Sequence, residues 1–144
     1  MNVRDICRIL FIDPDADWLD FATGTLKNQG VRAQGITDFG KAERAFRTVS
    51  GPQLVLVDLE LIEQSLDQFQ RLVEDKDRYV VVLSTTDLRP YQMSRIFKLG
   101  AYDCVDKPFD AKSLIRLLES LTKEVCPSTL EVISSLAPSL TMAH

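Results

Sequence analysis

Residues 52–61 read PQLVLVDLEL, in which four apolar side chains in a row, Leu54 to Val57, are stopped by one aspartate, Asp58. A continuous apolar run this short fits a strand buried on both faces, as in a parallel sheet covered by helices. Similar runs lie on either side. RILFI (8–12) is followed by Asp13, and YVVVLS (79–84) ends on Ser84; VRAQGI (31–36) and YDCV (102–105) are less apolar but have strand-like composition. Between these five runs lie apolar stripes at helical spacing. Trp18, Leu19, Ala22 and Leu26 form the first, closed by Gly30. Phe39, Ala42, Phe46 and Val49 form the second, with Asp38 as N-cap and Gly51-Pro52 as terminator. Leu66, Phe69, Leu72 and Val73 form the third. The fourth starts at Pro90 and stops at Gly100, and the fifth, starting after Asp110, carries Leu114, Leu117, Leu118 and Leu121. Alternating strand and helix periods predict an α/β fold: a doubly wound, five-stranded parallel sheet with helices on both faces. The aromatics and leucines of the stripes read as core.

With 144 residues, 45% hydrophobic and 26% charged, the chain suits one domain with a short appendage. We place the domain at 1–124 and a C-terminal extension at 125–144. In the extension a capping box, Ser128-Thr129-Leu130-Glu131, and apolar Ile133 and Leu136 predict a short helix or a linker. No apolar run approaches a membrane span and residues 1–8 do not lead into a signal-peptide core, so a cytoplasmic protein with no membrane partner is expected. Cys7, Cys104 and Cys126 are odd in number and widely spaced, which argues for reduced thiols and against zinc. The net charge of −4, with Lys and Arg scattered, gives no footprint for direct nucleic-acid binding. The only histidine is His144, which excludes internal His-based catalysis, and any phosphohistidine must come from a partner.

In a doubly wound sheet the carboxyl ends of the strands open onto one crevice, where ligands bind. Asp13, Asp58, Ser84 and Lys107 each end or follow a strand. Neighbouring carboxylates repel, so Asp13 and Asp58 call for a cation, and hard oxygen donors suit Mg²⁺. Such a set can bind a phosphoryl group: Asp58 attacks phosphorus, the metal and Lys107 neutralise its oxygens, and Ser84 donates a hydrogen bond. A phosphatase-type reading from Asp13-x-Asp15 lacks a late acidic pair and has Asp17 where Thr or Val is needed. A calcium loop on Asp13, Asp15 and Asp17 is excluded by Trp18 and Gly24, which stand where the turn glycine and the bidentate glutamate belong.

Residues 7–123 resemble the response-regulator receiver family: RILFIDPD its first-strand acidic motif, PQLVLVDLEL its phosphoacceptor strand, VVLSTTD its Ser/Thr strand, and LGAYDCVDKPFD its Gly-Ala to Lys-Pro stretch. The resemblance implies a flavodoxin-like sheet of order 2-1-3-4-5 and a signalling module, not an enzyme. By the match Asp58 is the phosphoacceptor, Ser84 the switch hydroxyl and Lys107 the phosphate-pairing lysine. Asp13, Asp58 and the Glu60 backbone carbonyl are metal ligands, with Asp15 a further candidate. A cis Lys107-Pro108 bond is also implied. Expected partners are a sensor histidine kinase or phosphotransfer protein and an output domain or effector, with a homodimer as a further expectation.

The pattern departs from the family at three places. Pro14 replaces the second acid after the first strand, which forfeits several kcal/mol of attraction for a divalent ion at an effective dielectric of about 20, so Mg²⁺ should be held weakly. Cys104 stands at the switch aromatic. Leu59 to Leu66 reads as a loop without the usual turn residues; the resemblance implies that Glu60, with Thr86, flanks the attacking water. Pro14 and Cys104 also favour the alternative, a degenerate receiver that docks partners without phosphorylation.

Overall fold

The computed structural model describes residues 8–27, 31, 33–46 and 51–125. The apolar runs become parallel strands β1 (Arg8–Ile12), β2 (Ala33–Ile36), β3 (Gln53–Asp58), β4 (Arg78–Ser84) and β5 (Asp103–Asp106), in the order β2-β1-β3-β4-β5. The most apolar runs are the central three, and every residue of β3 is buried. β2 and β5 are the edges, which explains their mixed composition.

Successive strand residues face opposite sides of the sheet, and two cores result. Ile9, Phe11, Leu54, Leu56, Val81 and Leu83 pack under α1 (Ala16–Lys27) and α6 (Ala111–Val125). Leu10, Ile12, Val55, Val57, Val80 and Val82 pack under α2 (Phe39–Phe46), α4 (Leu66–Val73) and α5 (Pro90–Lys98). Local chemistry sets the helix starts: the Asp15, Asp38 and Asp110 side chains accept backbone N–H bonds at the first turns of α1, α2 and α6. Pro90 opens α5, and Gly100, at φ 116°, follows it where an added Cβ would lie 3.0 Å from Val73.

Two expectations are corrected. The segment read as a loop after Asp58 is a further helix, α3 (Leu59–Gln64), capped by Asp58 itself. It holds no Gly or Pro to break a helix, and Leu61 and Ile62 are buried beneath it. The Lys107-Pro108 bond is trans, no cis peptide occurring among the described residues. Trans is the favoured isomer by about 0.5–1 kcal/mol, and from it the lysine still reaches both carboxylates. The proposed helix of residues 128–137 lies outside the described residues.

Candidate functional site

Sheet register brings the four candidates to one end. Ile12 pairs with Val57, so Asp13 and Asp58 leave adjacent strands side by side. Ser84 pairs with Asp106, and the Lys107 amide donates to the Ser84 carbonyl at 2.9 Å. The Lys107 side chain then crosses back over β3 toward β1: its Nζ lies 2.6 Å from Asp13 Oδ2 and 3.0 Å from Asp58 Oδ2. All three residues are buried, Asp13 almost completely at 1% exposure.

The cluster carries two carboxylates and one ammonium, and so remains short of positive charge. Burial pushes the Asp13 carboxyl above its ordinary value, and repulsion from Asp58 adds to this against the opposing pull of Lys107 and the Asp15 amide. Burial alone would lower the Lys107 pKa, but its bonds to Asp13 and Asp58 outweigh that and hold it above the usual lysine value. Asp13 Oδ2 is buried with no well-angled hydrogen-bond donor and faces the ammonium only as an ion pair. An under-neutralised pair of carboxylates suits a hard cation, but the pair supplies only two acidic side chains, and among the described residues no group of three or more His, Cys, Asp or Glu side chains is gathered to hold a metal ion.

A cavity of about 370 Å³ opens over the cluster, lined among others by Pro14, Asp15, Glu60, Glu63 and Thr86. Several of these groups are already engaged. Asp15 Oδ1 accepts the Asp17 and Trp18 amides at 3.0 and 3.2 Å as the cap of α1. Asp58 Oδ1 accepts the Glu60 amide at 2.9 Å. Glu60 sits in the first turn of α3, where a helical carbonyl points toward the far end of its own helix. The Ser84 hydroxyl donates to the Thr86 carbonyl at 2.7 Å and accepts the Thr86 amide at 3.2 Å, so it is closed onto its own turn. Cys104, half-buried on β5, has its thiol pKa raised by burial and by the neighbouring Asp103 and Asp106.

Trp18 belongs to the site as well as to the core, which its helical stripe did not reveal. Its indole N–H donates to the Pro108 carbonyl at 2.8 Å, and its ring centroid lies 4.9 Å from Lys107 Nζ. A tryptophan three residues after Asp15 and a lysine 89 residues later share no sequence pattern that could have linked them.

The chain matches the response regulator receiver domain family over residues 9–119. It is 29% identical over 140 residues to the phosphoglycerate transport system transcriptional regulatory protein PgtA of Salmonella typhimurium, covering 90% of this chain and 34% of that protein. To the response regulator protein GraR of Staphylococcus aureus it is 24% identical over 124 residues, covering 86% and 55%. The chain thus spans between about a third and about half of these curated relatives. Among solved structures, a response regulator from Thermotoga maritima matches with a TM-score of 0.66 at 26% identity, covering 83% of this chain and 98% of the other. NtrX from Brucella abortus matches with a TM-score of 0.64 at 24% identity, covering 94% and 28%, a likeness of fold.

Proposed function

This chain belongs to the response regulator receiver domain family, and on that premise we propose that Asp58 accepts a phosphoryl group from a sensor histidine kinase or phosphotransfer protein. The observation that carries the reading is the buried Asp13–Lys107–Asp58 cluster beneath an open cavity. An Asp58 carboxylate oxygen attacks phosphorus and the P–N bond of the donor breaks. The electron pair stays on the imidazole, which leaves neutral if its other nitrogen carries a proton. The product is an aspartyl phosphate. Lys107 pairs with the phosphoryl oxygens, as Ser84 does once its hydroxyl leaves the Thr86 carbonyl.

Asp13 and Asp58 would hold Mg²⁺; the Glu60 carbonyl, aimed along α3, would join them only if the first turn of that helix opened, and Asp15 only by giving up its cap. Neutralising phosphoryl oxygens is the chemistry such an ion supplies. With Pro14 in place of an acid and Asp15 committed to a cap, the affinity should be low. Glu60 and Thr86, both lining the cavity, would tune loss of the phosphoryl group to water. The protein acts as a signalling module, not as an enzyme with its own substrate turnover. Residues 1–124 form the receiver and 125–144 an extension. It works in the cytoplasm on an output domain or effector, as a monomer or homodimer, without contacting nucleic acid or membrane itself. Among the described residues no helix is long and apolar enough to cross a membrane.

A second reading, phosphorylation-independent docking, is favoured by the use of Asp15 as a helix cap. Incubation with acetyl phosphate and high Mg²⁺, followed by intact mass, separates the two. The expected result is one added phosphoryl group in wild type and none in Asp58→Asn. No adduct in wild type or in Pro14→Asp would leave docking as the account, and an adduct surviving Asp58→Asn would misplace the acceptor.

A further inference from the structure

We infer that Trp18, on α1, is a positioning residue for Lys107. The inference rests on the reading of Lys107 as the phosphoryl-pairing residue. An ammonium has three N–H donors on a flexible stem, and Asp13 and Asp58 account for two directions around Lys107 Nζ. On another side lies the Trp18 ring at 4.9 Å, within the range over which an aromatic face attracts a cation. The same indole fixes the backbone from which the lysine springs, because its N–H donates to the carbonyl of Pro108, the next residue, at 2.8 Å in a buried contact.

Trp18 can serve as a fixed point because it is itself held. Its ring meets Phe11 of β1 edge-on at 5.5 Å and Phe21 of α1 at 6.2 Å, and it is 5% exposed. The indole also shields one flank of the ammonium from water, which strengthens the pull of the carboxylates. Asp15 ties the parts together, since its carboxylate caps the helix turn that carries Trp18.

Two measurements on the full chain test this. In protein labelled with ¹⁵N-lysine, the Lys107 ammonium, assigned by its absence from Lys107→Met, should give a slowly exchanging NMR signal. That signal should weaken in Trp18→Phe, which keeps a ring but loses the N–H, and vanish in Trp18→Leu, while β3 amides stay unshifted in Trp18→Phe. In parallel, acetyl phosphate labelling at saturating donor should slow about tenfold in Trp18→Leu and about threefold in Trp18→Phe. An ammonium signal equally protected in wild type and both variants overturns the inference, whether or not wild type is labelled. A Trp18-dependent signal in a chain that no donor labels overturns the phosphoryl reading instead, and with it the role assigned to the contact.

Discussion

The crevice has two halves that use their acids differently. On the side of β3, β4 and β5, Asp58, Ser84 and Lys107 stand at strand ends, and the ladder of hydrogen bonds decides where each one points. On the side of β1 and α1, only Asp13 is placed that way. Pro14 carries no charge, and Asp15 turns its carboxylate onto the Asp17 and Trp18 amides. All three acids spend one oxygen on a local backbone amide, Asp13 on that of Asp15 and Asp58 on that of Glu60; what separates them is that at the strand ends the other oxygen, Oδ2 of Asp13 and of Asp58, faces Lys107, whereas among the described residues Asp15 makes no ion pair with the lysine.

The largest effect should come from the half set by the strands. Lys107→Met would leave two buried carboxylates side by side without their cation, and breaking a buried ion pair in this way costs about 3–5 kcal/mol, readable as a lower urea midpoint. Adding Asp13→Asn should return much of the loss. If Lys107→Met unfolds at the wild-type midpoint, the carboxylates are solvated and the cluster is not the buried unit described above.

Next in size is repair of the other half. Pro14→Asp restores a carboxylate at the mouth of the cavity, and the Mg²⁺ concentration at half-saturation should fall by about tenfold or more, equivalent to about 1.4 kcal/mol. Trp18, the only tryptophan, provides the fluorescence signal. Unchanged Mg²⁺ affinity would mean that the missing acid is not what distinguishes the two halves.

Asp15→Ala sharpens the contrast further. As a cap, Asp15 should contribute about 1 kcal/mol to stability and its loss should leave Mg²⁺ binding within about twofold of wild type. A large fall in Mg²⁺ affinity would make it a ligand.

The smallest expected effect is on pH dependence. Because the folded-state pKa of Asp13 is raised, the folded chain binds this proton more tightly than the unfolded one, so stability should decline as pH rises from the ordinary value of 3.8 through the raised value. Lys107 works in the same direction at alkaline pH: its stabilisation is fully present below its ordinary value of 10.5 and is lost as pH climbs through the higher folded value. Melting temperatures of wild type and Asp13→Asn across acid pH should differ in slope, the variant lacking the Asp13 decline.

Strand-borne features were legible in the sequence because burial on both faces leaves so plain a mark. The run from Leu54 to Val57 identified a central strand, and its register carried Asp58 to the crevice. The edge strands were legible as to existence and less so as to limits: β2 is shorter than VRAQGI, and β5 starts one residue later than YDCV. What was missed is partly local, at α3 and Ser84, and partly carried by a contact distant in sequence, at Trp18. Leu59–Gln64 has no Gly or Pro, and the lack of turn chemistry after Asp58 marks a helix start that Asp58 caps, not an unusual loop. Trp18 looked like core, and is; its additional contact with Pro108 is made across 90 residues. The sequence-based role of Ser84 omitted its present partner, Thr86, because an exchange of one hydrogen bond for another leaves no pattern to read.

The measurement that bears most directly on the account is chemical location of the adduct. An acyl phosphate, unlike a phosphoester, is reduced by borohydride, which converts an aspartyl phosphate to homoserine. After incubation with acetyl phosphate and high Mg²⁺, reduction and peptide mass mapping should find homoserine at position 58 and at no other aspartate. Homoserine at Asp13 or Asp15, or a phosphoryl group that resists borohydride, would contradict the assignment of Asp58 as the acceptor.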